Sequence, residues 1–236
     1  MIMCNNHTHT QLSNALRRGT YIIDFDGVLV HRFTQMMDFL SARKELAKAM
    51  IECGFDVDKV NKYVEPYDLL KICYGDWGVH EKFELFSKIL ELYEFQAISK
   101  IFIDFYAGEF LKTLIRRGKR VYISSLQPAS VINQVLRRVK IPLNSICVCG
   151  RDVGGRPKPY PDQLKGVVGE DSVVIGDSLT DGYLAKNINS SFIALDTDGY
   201  TFYELCSVGA IAVFNSLEEL LNYVVRSNGH EVLVLG

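Results

Sequence analysis

No stretch of this chain approaches the ~20 consecutive apolar residues that a membrane-spanning helix needs. Met1 to Thr10 is polar and His-containing, without the apolar centre of a secretory leader. The expectation is a cytoplasmic protein with no membrane partner. Neither sign of charge is in excess: 26 basic residues against 28 acidic ones leave a formal charge of -2, which argues against a nucleic-acid partner. The basic clusters Arg116-Arg117 to Lys119-Arg120 and Arg137-Arg138 fall near expected helix C-termini, where cations complement the helix dipole. The six cysteines lack metal-ligand spacing. Cys147 and Cys149 share one face of an expected strand, but no second pair accompanies them, so reduced core thiols are expected throughout. A GxxxxGK[ST] loop is missing, which argues against nucleoside-triphosphate use through that motif. Internal repeats and low-complexity tracts are absent.

What is present is enough apolar material for one large core, alone or with a small accessory unit: 48% of 236 residues, 11% being aromatic. Apolar, β-rich runs recur at Tyr21–Asp24, Val121–Ser124, Ile146–Cys149, Val173–Ile175, Phe192–Leu195 and Ile211–Phe214. Helical patterns fall between the later ones. Ala107–Arg117 ends at Gly118, Pro128–Val139 opens on proline, and Leu217–Val225 follows a capping Ser216. This alternation predicts an α/β fold, a doubly wound parallel sheet of Rossmann-like type with ligands at the carboxyl ends of the strands. Phe33 to about Ile103 reads differently, as helix without β-branched runs, and is far longer than a crossover needs. The expected division is a discontinuous core, 1–32 and 104–236, with a small inserted all-helical subdomain at 33–103.

The chemistry concentrates at four strand ends: Asp24-Phe25-Asp26-Gly27-Val28, Ser124-Ser125, the Pro-stiffened loop Arg156-Pro157-Lys158-Pro159-Tyr160-Pro161-Asp162, and Gly176-Asp177-Ser178-Leu179-Thr180-Asp181. An acid closing a buried apolar strand is costly unless a cation takes up its charge. Asp24 and Asp26 stand two residues apart, so both carboxyls are expected to reach one site. Several carboxylates suit a hard cation such as Mg²⁺. One can attack phosphorus while another serves as acid and then base. A lysine and a hydroxyl can neutralise the transferring group.

In that order the motifs resemble the haloacid dehalogenase-like (HAD) superfamily of hydrolases, over about residues 20–225. Lys158-Pro-Tyr-Pro-Asp162 and Asn215-Ser-Leu-Glu-Glu-Leu220 are similar to its phosphoglycolate phosphatase and β-phosphoglucomutase branch. The resemblance implies a Mg²⁺-dependent phosphatase acting on a small phosphorylated metabolite. Asp24 is then the nucleophile that forms an aspartyl-phosphate, and Asp26 the general acid and base. Mg²⁺ is held by the Asp24 carboxylate, the Asp26 backbone carbonyl and Asp177, and Asp181 supports the metal's water shell or Lys158. Ser124, Ser125 and Lys158 bind the phosphoryl group, aided by backbone N–H groups near Phe25, Asp26 and Ser125. The insertion is the family's first type of helical cap, hinged near Val30–Phe33 and Ile103–Gly108.

Asp26 argues against a dehalogenase, which has no leaving oxygen to protonate. Phosphonate cleavage requires a cap lysine, and Lys44, Lys48, Lys59 and Lys62 sit in no motif. A phosphosugar mutase and a non-catalytic phosphometabolite-binding protein are the rival readings. His31 stands where many relatives carry an acid, as a gate or a plain hinge residue. Asp76 and Trp77 read as a packed turn or a lid, and Tyr160 as an entrance residue or helix-start packing.

Overall fold

The computed structural model describes residues 1–4, 8–31, 33–76, 78–139, 141–164, 171–197 and 199–227. Trp77 and the tail 228–236 lie outside them. The chain opens with β1 (Ile2–Met3), then α1 (His9–Arg17), where Thr8 and Gln11 form a reciprocal capping box. Next come β2 (Thr20–Ile23) and β3 (Val30–His31). The helices α2 (Phe33–Met36), α3 (Phe39–Glu52), α4 (Val57–Lys62) and α5 (Pro66–Leu70) follow. A hairpin, β4 (Tyr74–Gly75) with β5 (Gly78–Val79), then leads to α6 (Phe83–Ala97). The remainder alternates: β6 (Phe102–Ile103), α7 (Ala107–Arg116), β7 (Arg120–Ser124), α8 (Ala129–Leu136), β8 (Ile146–Cys149), β9 (Ser172–Gly176), α9 (Leu179–Asn187), β10 (Ser191–Leu195), α10 (Phe202–Ser207), β11 (Ala210–Phe214) and α11 (Leu217–Ser227).

Seven strands form one sheet in the order β1-β11-β10-β9-β2-β7-β8, parallel throughout except for the antiparallel edge strand β1. The strand β2 lies inside the sheet, every residue buried, with Ile23 level with both Ile123 and Ile175. Its unbroken apolar run is what a parallel strand covered on both faces requires. Each large side chain so buried contributes about 1.5–3 kcal/mol. The same register brings the ends of β2, β7 and β9 to one edge, where Asp24, Ser124 and Asp177 leave or end the strands.

The expected strands fall within one residue of those observed. Among the helices, Pro128 is the N-cap of α8 rather than its first residue, and Arg137–Val139 tightens into a 3₁₀ turn. Gly118 ends α7 at φ +69°, a conformation cheap only for glycine. Between β3 and β6 the chain is helical except for the β4–β5 hairpin at the Gly75–Gly78 break, a short exception to an all-helical insertion. The two connections to this insertion run side by side, β3 antiparallel to β6 with Val30 level with Ile103.

One expectation is overturned. Cys4 and Cys206 form a disulfide across a sequence separation of 202, their Cα atoms 5.5 Å apart. It ties the N-terminal edge strand to the end of α10. Nothing in the spacing signals it, because pairing of β1 with β11 is what brings Cys4 to the far edge. Cys53, Cys73, Cys147 and Cys149 are free thiols. Cys147 and Cys149 do share a face, with sulfurs 3.9 Å apart.

Candidate active site

The strand ends open into a cavity of about 960 Å³ lined on one side by Asp24, Asp26, Ser125, Lys158 and Asp177, and on the other by Tyr67, Asp68 and Lys71 from the helical insertion and its 3₁₀ turn. Lys158 Nζ stands 2.6 Å from Asp24 Oδ1 and 2.8 Å from Asp181 Oδ1, all three groups buried. Ligand oxygens of Asp24, Asp177 and Asp181 lie within 4.8 Å of one another.

Three acids so close together, two of them buried, repel. Burial first, then Asp181, hold the Asp24 carboxyl well above the usual carboxylate range, although Lys158 opposes the shift. Asp177 is pushed up to about 7, again by burial and then by Asp181, despite the hydrogen bond from Thr197 Oγ1 at 2.7 Å. For Lys158 burial works against the charged form, but Asp181 and Asp24 outweigh it and keep the ammonium protonated. One lysine does not neutralise three carboxylates. The donor set is hard oxygen, as a divalent cation such as Mg²⁺ prefers, and a cation there would relieve the repulsion.

Gly27 makes room for this arrangement. At φ +85°, a methyl on it would stand 1.9 Å from Asp177 Oδ2. Gly27→Ala is therefore expected to displace Asp177; were the acid cluster to hold Mg²⁺, its binding would weaken by about 10–100-fold, the usual penalty for disturbing a ligand's support. Titration calorimetry with Mg²⁺ checks this; unchanged affinity would contradict the assignment of Asp177 to a metal.

Asp26 lines the same cavity, but its carboxylate does not join the cluster. Oδ1 accepts from Phe33 N at 2.6 Å, while Oδ2 accepts from Thr34 N at 3.1 Å and from Thr34 Oγ1 at 2.6 Å. The period-two argument brings both acids to one cavity without fixing their side-chain rotamers. The start of α2, with its unpaired N–H groups, claims the second acid. Asp181 pairs with Lys158 and also caps α9 through Ser178 N and Oγ.

Ser124 ends β7 and is buried, yet it is not among the lining residues, whereas Ser125 is. Two implied backbone donors are already engaged. Phe25 N donates to Asp24 Oδ1 at 2.6 Å, and Ser125 N to the Cys149 carbonyl at 3.2 Å. His31 lines the cavity with Nε2 2.9 Å from Asp104 Oδ2, beside the β3–β6 crossing. Tyr160 faces the hairpin, its hydroxyl 3.1 Å from Asp76 Oδ1.

Sequence reasoning missed Thr197, Gln127, Tyr67, Glu94 and Arg151. Thr197 and Gln127 follow the ends of β10 and β7, so the strand-end rule applied to every strand would have found both. Tyr67, Glu94 and Arg151 carry no such signal. Arg151 and Glu94 are among the most completely buried residues. The guanidinium makes a two-pronged pair with Glu94, 2.7 Å to Oε1 and 2.8 Å to Oε2.

No family model and no curated protein matches the chain. Solved structures do. A hydrolase from Pseudomonas syringae superposes with a TM-score of 0.63 at 23% identity, over 88% of this chain and 98% of that one. A predicted phosphatase from Clostridium acetobutylicum gives 0.61 at 17%, over 88% and 98%. A HAD family hydrolase from Deinococcus radiodurans, solved with bound phosphate and sodium, gives 0.56 at 22%, over 89% and 96%. Identities this low speak for architecture alone, and on that evidence the chain has the fold of the haloacid dehalogenase-like hydrolases.

Proposed function

We propose that this protein is a Mg²⁺-dependent phosphatase of small phosphorylated metabolites, the helical segment 33–103 serving as the cap over its site. One observation carries the reading: Lys158 bridges Asp24 and Asp181 at the floor of a cavity that also holds Asp177 and Asp26. The Deinococcus hydrolase of similar fold was solved with bound phosphate and sodium, which agrees with this reading.

An Asp24 carboxylate oxygen attacks phosphorus, and the bond from phosphorus to the leaving oxygen breaks. Asp26 delivers the proton that the leaving oxygen needs, and for this it must exchange one of its three hydrogen bonds at α2. Water then attacks the aspartyl-phosphate while Asp26 takes its proton, and inorganic phosphate departs. Lys158 neutralises charge on the peripheral oxygens. Asp24, Asp177 and the Asp26 carbonyl are the groups that would hold Mg²⁺, which supplies charge neutralisation when bound. The cap excludes bulky substrates and bulk water.

A mutase would also have to grip a second phosphate. Among the described lining residues Lys71 is the lysine available for one, its Nζ 2.7 Å from Asp68 Oδ1 in a half-exposed pair. Product analysis separates the two readings.

The test is liberation of inorganic phosphate from a panel of phosphorylated metabolites with Mg²⁺, with and without EDTA. Release that EDTA abolishes supports the proposal; isomerised product, or an inert protein, sinks it. The pH dependence has a definite sign. Asp177, pushed up to about 7 by burial and by Asp181, must lose its proton to bind metal. Lowering pH from 8 to 6 is therefore expected to raise the Mg²⁺ needed for half-maximal rate by about tenfold, with saturating Mg²⁺ offsetting the loss. A requirement equal at both pH values would remove Asp177 from the metal site.

A further inference from the structure

A buried chain of hydrogen bonds runs from the Arg151–Glu94 pair to the wall of the cavity. Tyr67 Oη lies 2.5 Å from Glu94 Oε1. Gln127 Nε2 lies 3.3 Å from Tyr67 Oη, and Gln127 Oε1 is in contact with Ser125 Oγ. All five residues are buried. Such a network is expensive unless every member is satisfied, and a satisfied one fixes orientation.

The direction of every proton follows from chemistry. Arg151 occupies Glu94 from one side, and an ionised carboxylate only accepts. Tyr67 must therefore donate to Glu94. Its single proton is spent, so it accepts from Gln127. Gln127 then presents its amide NH₂ to Tyr67 and its carbonyl to Ser125. The Ser125 hydroxyl, facing a carbonyl, donates to it. The proton on Ser125 is thereby spent on Gln127, whose backbone N–H also donates to Ser125 Oγ at 3.3 Å.

We infer that Glu94 and Arg151 are positioning residues which, through Tyr67 and Gln127, keep the Ser125 proton on Gln127. Ser125 thus gives the phosphoryl group no proton while the chain is intact. The inference rests on the phosphatase reading for its ligand but not for the chain itself. It reverses the donor role that the position of Ser125 after β7 suggests, and it makes the seating of α5 and α6 on the core a determinant of what the cavity offers an anion.

Tyr67→Phe breaks the chain at one atom and leaves the Arg151–Glu94 pair in place. Gln127 can then turn its amide, donate to Ser125 Oγ, and free the serine proton for phosphate. With inorganic phosphate as the probe in Mg²⁺ buffer, Tyr67→Phe is expected to bind it about tenfold more tightly, as one added hydrogen bond to a charged group allows. Adding Ser125→Ala should cancel that gain, while Ser125→Ala alone should change phosphate affinity less than about twofold. General damage to the fold would not produce a gain that a second substitution removes. Unchanged or weaker binding in Tyr67→Phe, or a large loss in Ser125→Ala alone, overturns the inference. The Gln127 side-chain amide resonances, followed without phosphate, give a readout independent of function: they should move on Tyr67→Phe, and resonances that stay put overturn the chain. A wild-type protein that binds no phosphate, with the amide resonances moving as expected, would instead overturn the phosphatase reading.

Discussion

Arg151→Met is expected to destabilise the protein by about 3–5 kcal/mol, because it leaves the buried Glu94 carboxylate without its cation. The guanidinium has further duties. It donates to Ser87 Oγ at 2.7 Å, to the Ser87 carbonyl at 2.8 Å and to the Leu126 carbonyl at 2.8 Å. The two Ser87 acceptors stay buried when the arginine goes. For a chain of this size the cost corresponds to a melting temperature lower by roughly 6–20 °C. Removing both charges, as Arg151→Met with Glu94→Met, should recover part of the loss, since an apolar pair carries no ionic desolvation penalty. Recovery is expected to be incomplete because Tyr67 and Leu126 still lose partners. Calorimetry on the wild type, the two single variants and the double variant closes the cycle. Equal costs that simply add would mean the two residues do not act as a pair. Since Glu94 belongs to α6 and Arg151 follows β8, this interaction also fastens the proposed cap to the core. Opening about the β3–β6 crossing would have to separate these two residues.

The contrast between that network and the strand-end acids shows what a sequence discloses. Asp24, Lys158 and Asp177 were legible because each breaks a local rule: an acid closing an apolar strand, a lysine between prolines, an acid straight after a buried run. The sheet was legible for the same local reason, since β-branched runs separated by helical spacing have few topologies open to them. Arg151 breaks no such rule. It stands in a polar, glycine-rich stretch, and only the docking of α6 puts it beside Glu94, 57 positions away. Cys4 and Cys206 are hidden likewise, by pairing of the first strand of the chain with the last. The rotamer of Asp26 was unreadable because the α2 N-terminus competing for it is itself a product of the insertion's geometry. Local chemistry announces itself in the sequence; a partner brought in by tertiary packing does not.

Asp24→Asn should lower phosphate release by at least about a thousandfold, since the amide cannot attack phosphorus. The same change should make the metal-free protein more stable at pH 8. Burial and the neighbouring Asp181 raise the Asp24 carboxyl above its unfolded value, with Lys158 only partly compensating. A carboxyl raised in the folded state holds its proton more tightly there than in the unfolded chain. Its contribution to stability is therefore complete below about pH 4, where both states are protonated, and is lost as pH rises toward the folded value. Asparagine does not ionise and avoids that loss. The variant and the wild type should melt together near pH 4, and with EDTA present the variant should melt higher at pH 8. Mg²⁺ should then stabilise the wild type at pH 8 and barely affect the variant. Activity lost without a gain in metal-free stability would mean that Lys158 already satisfies Asp24. A variant that still released phosphate at the wild-type rate would remove Asp24 as nucleophile and with it the proposed reaction.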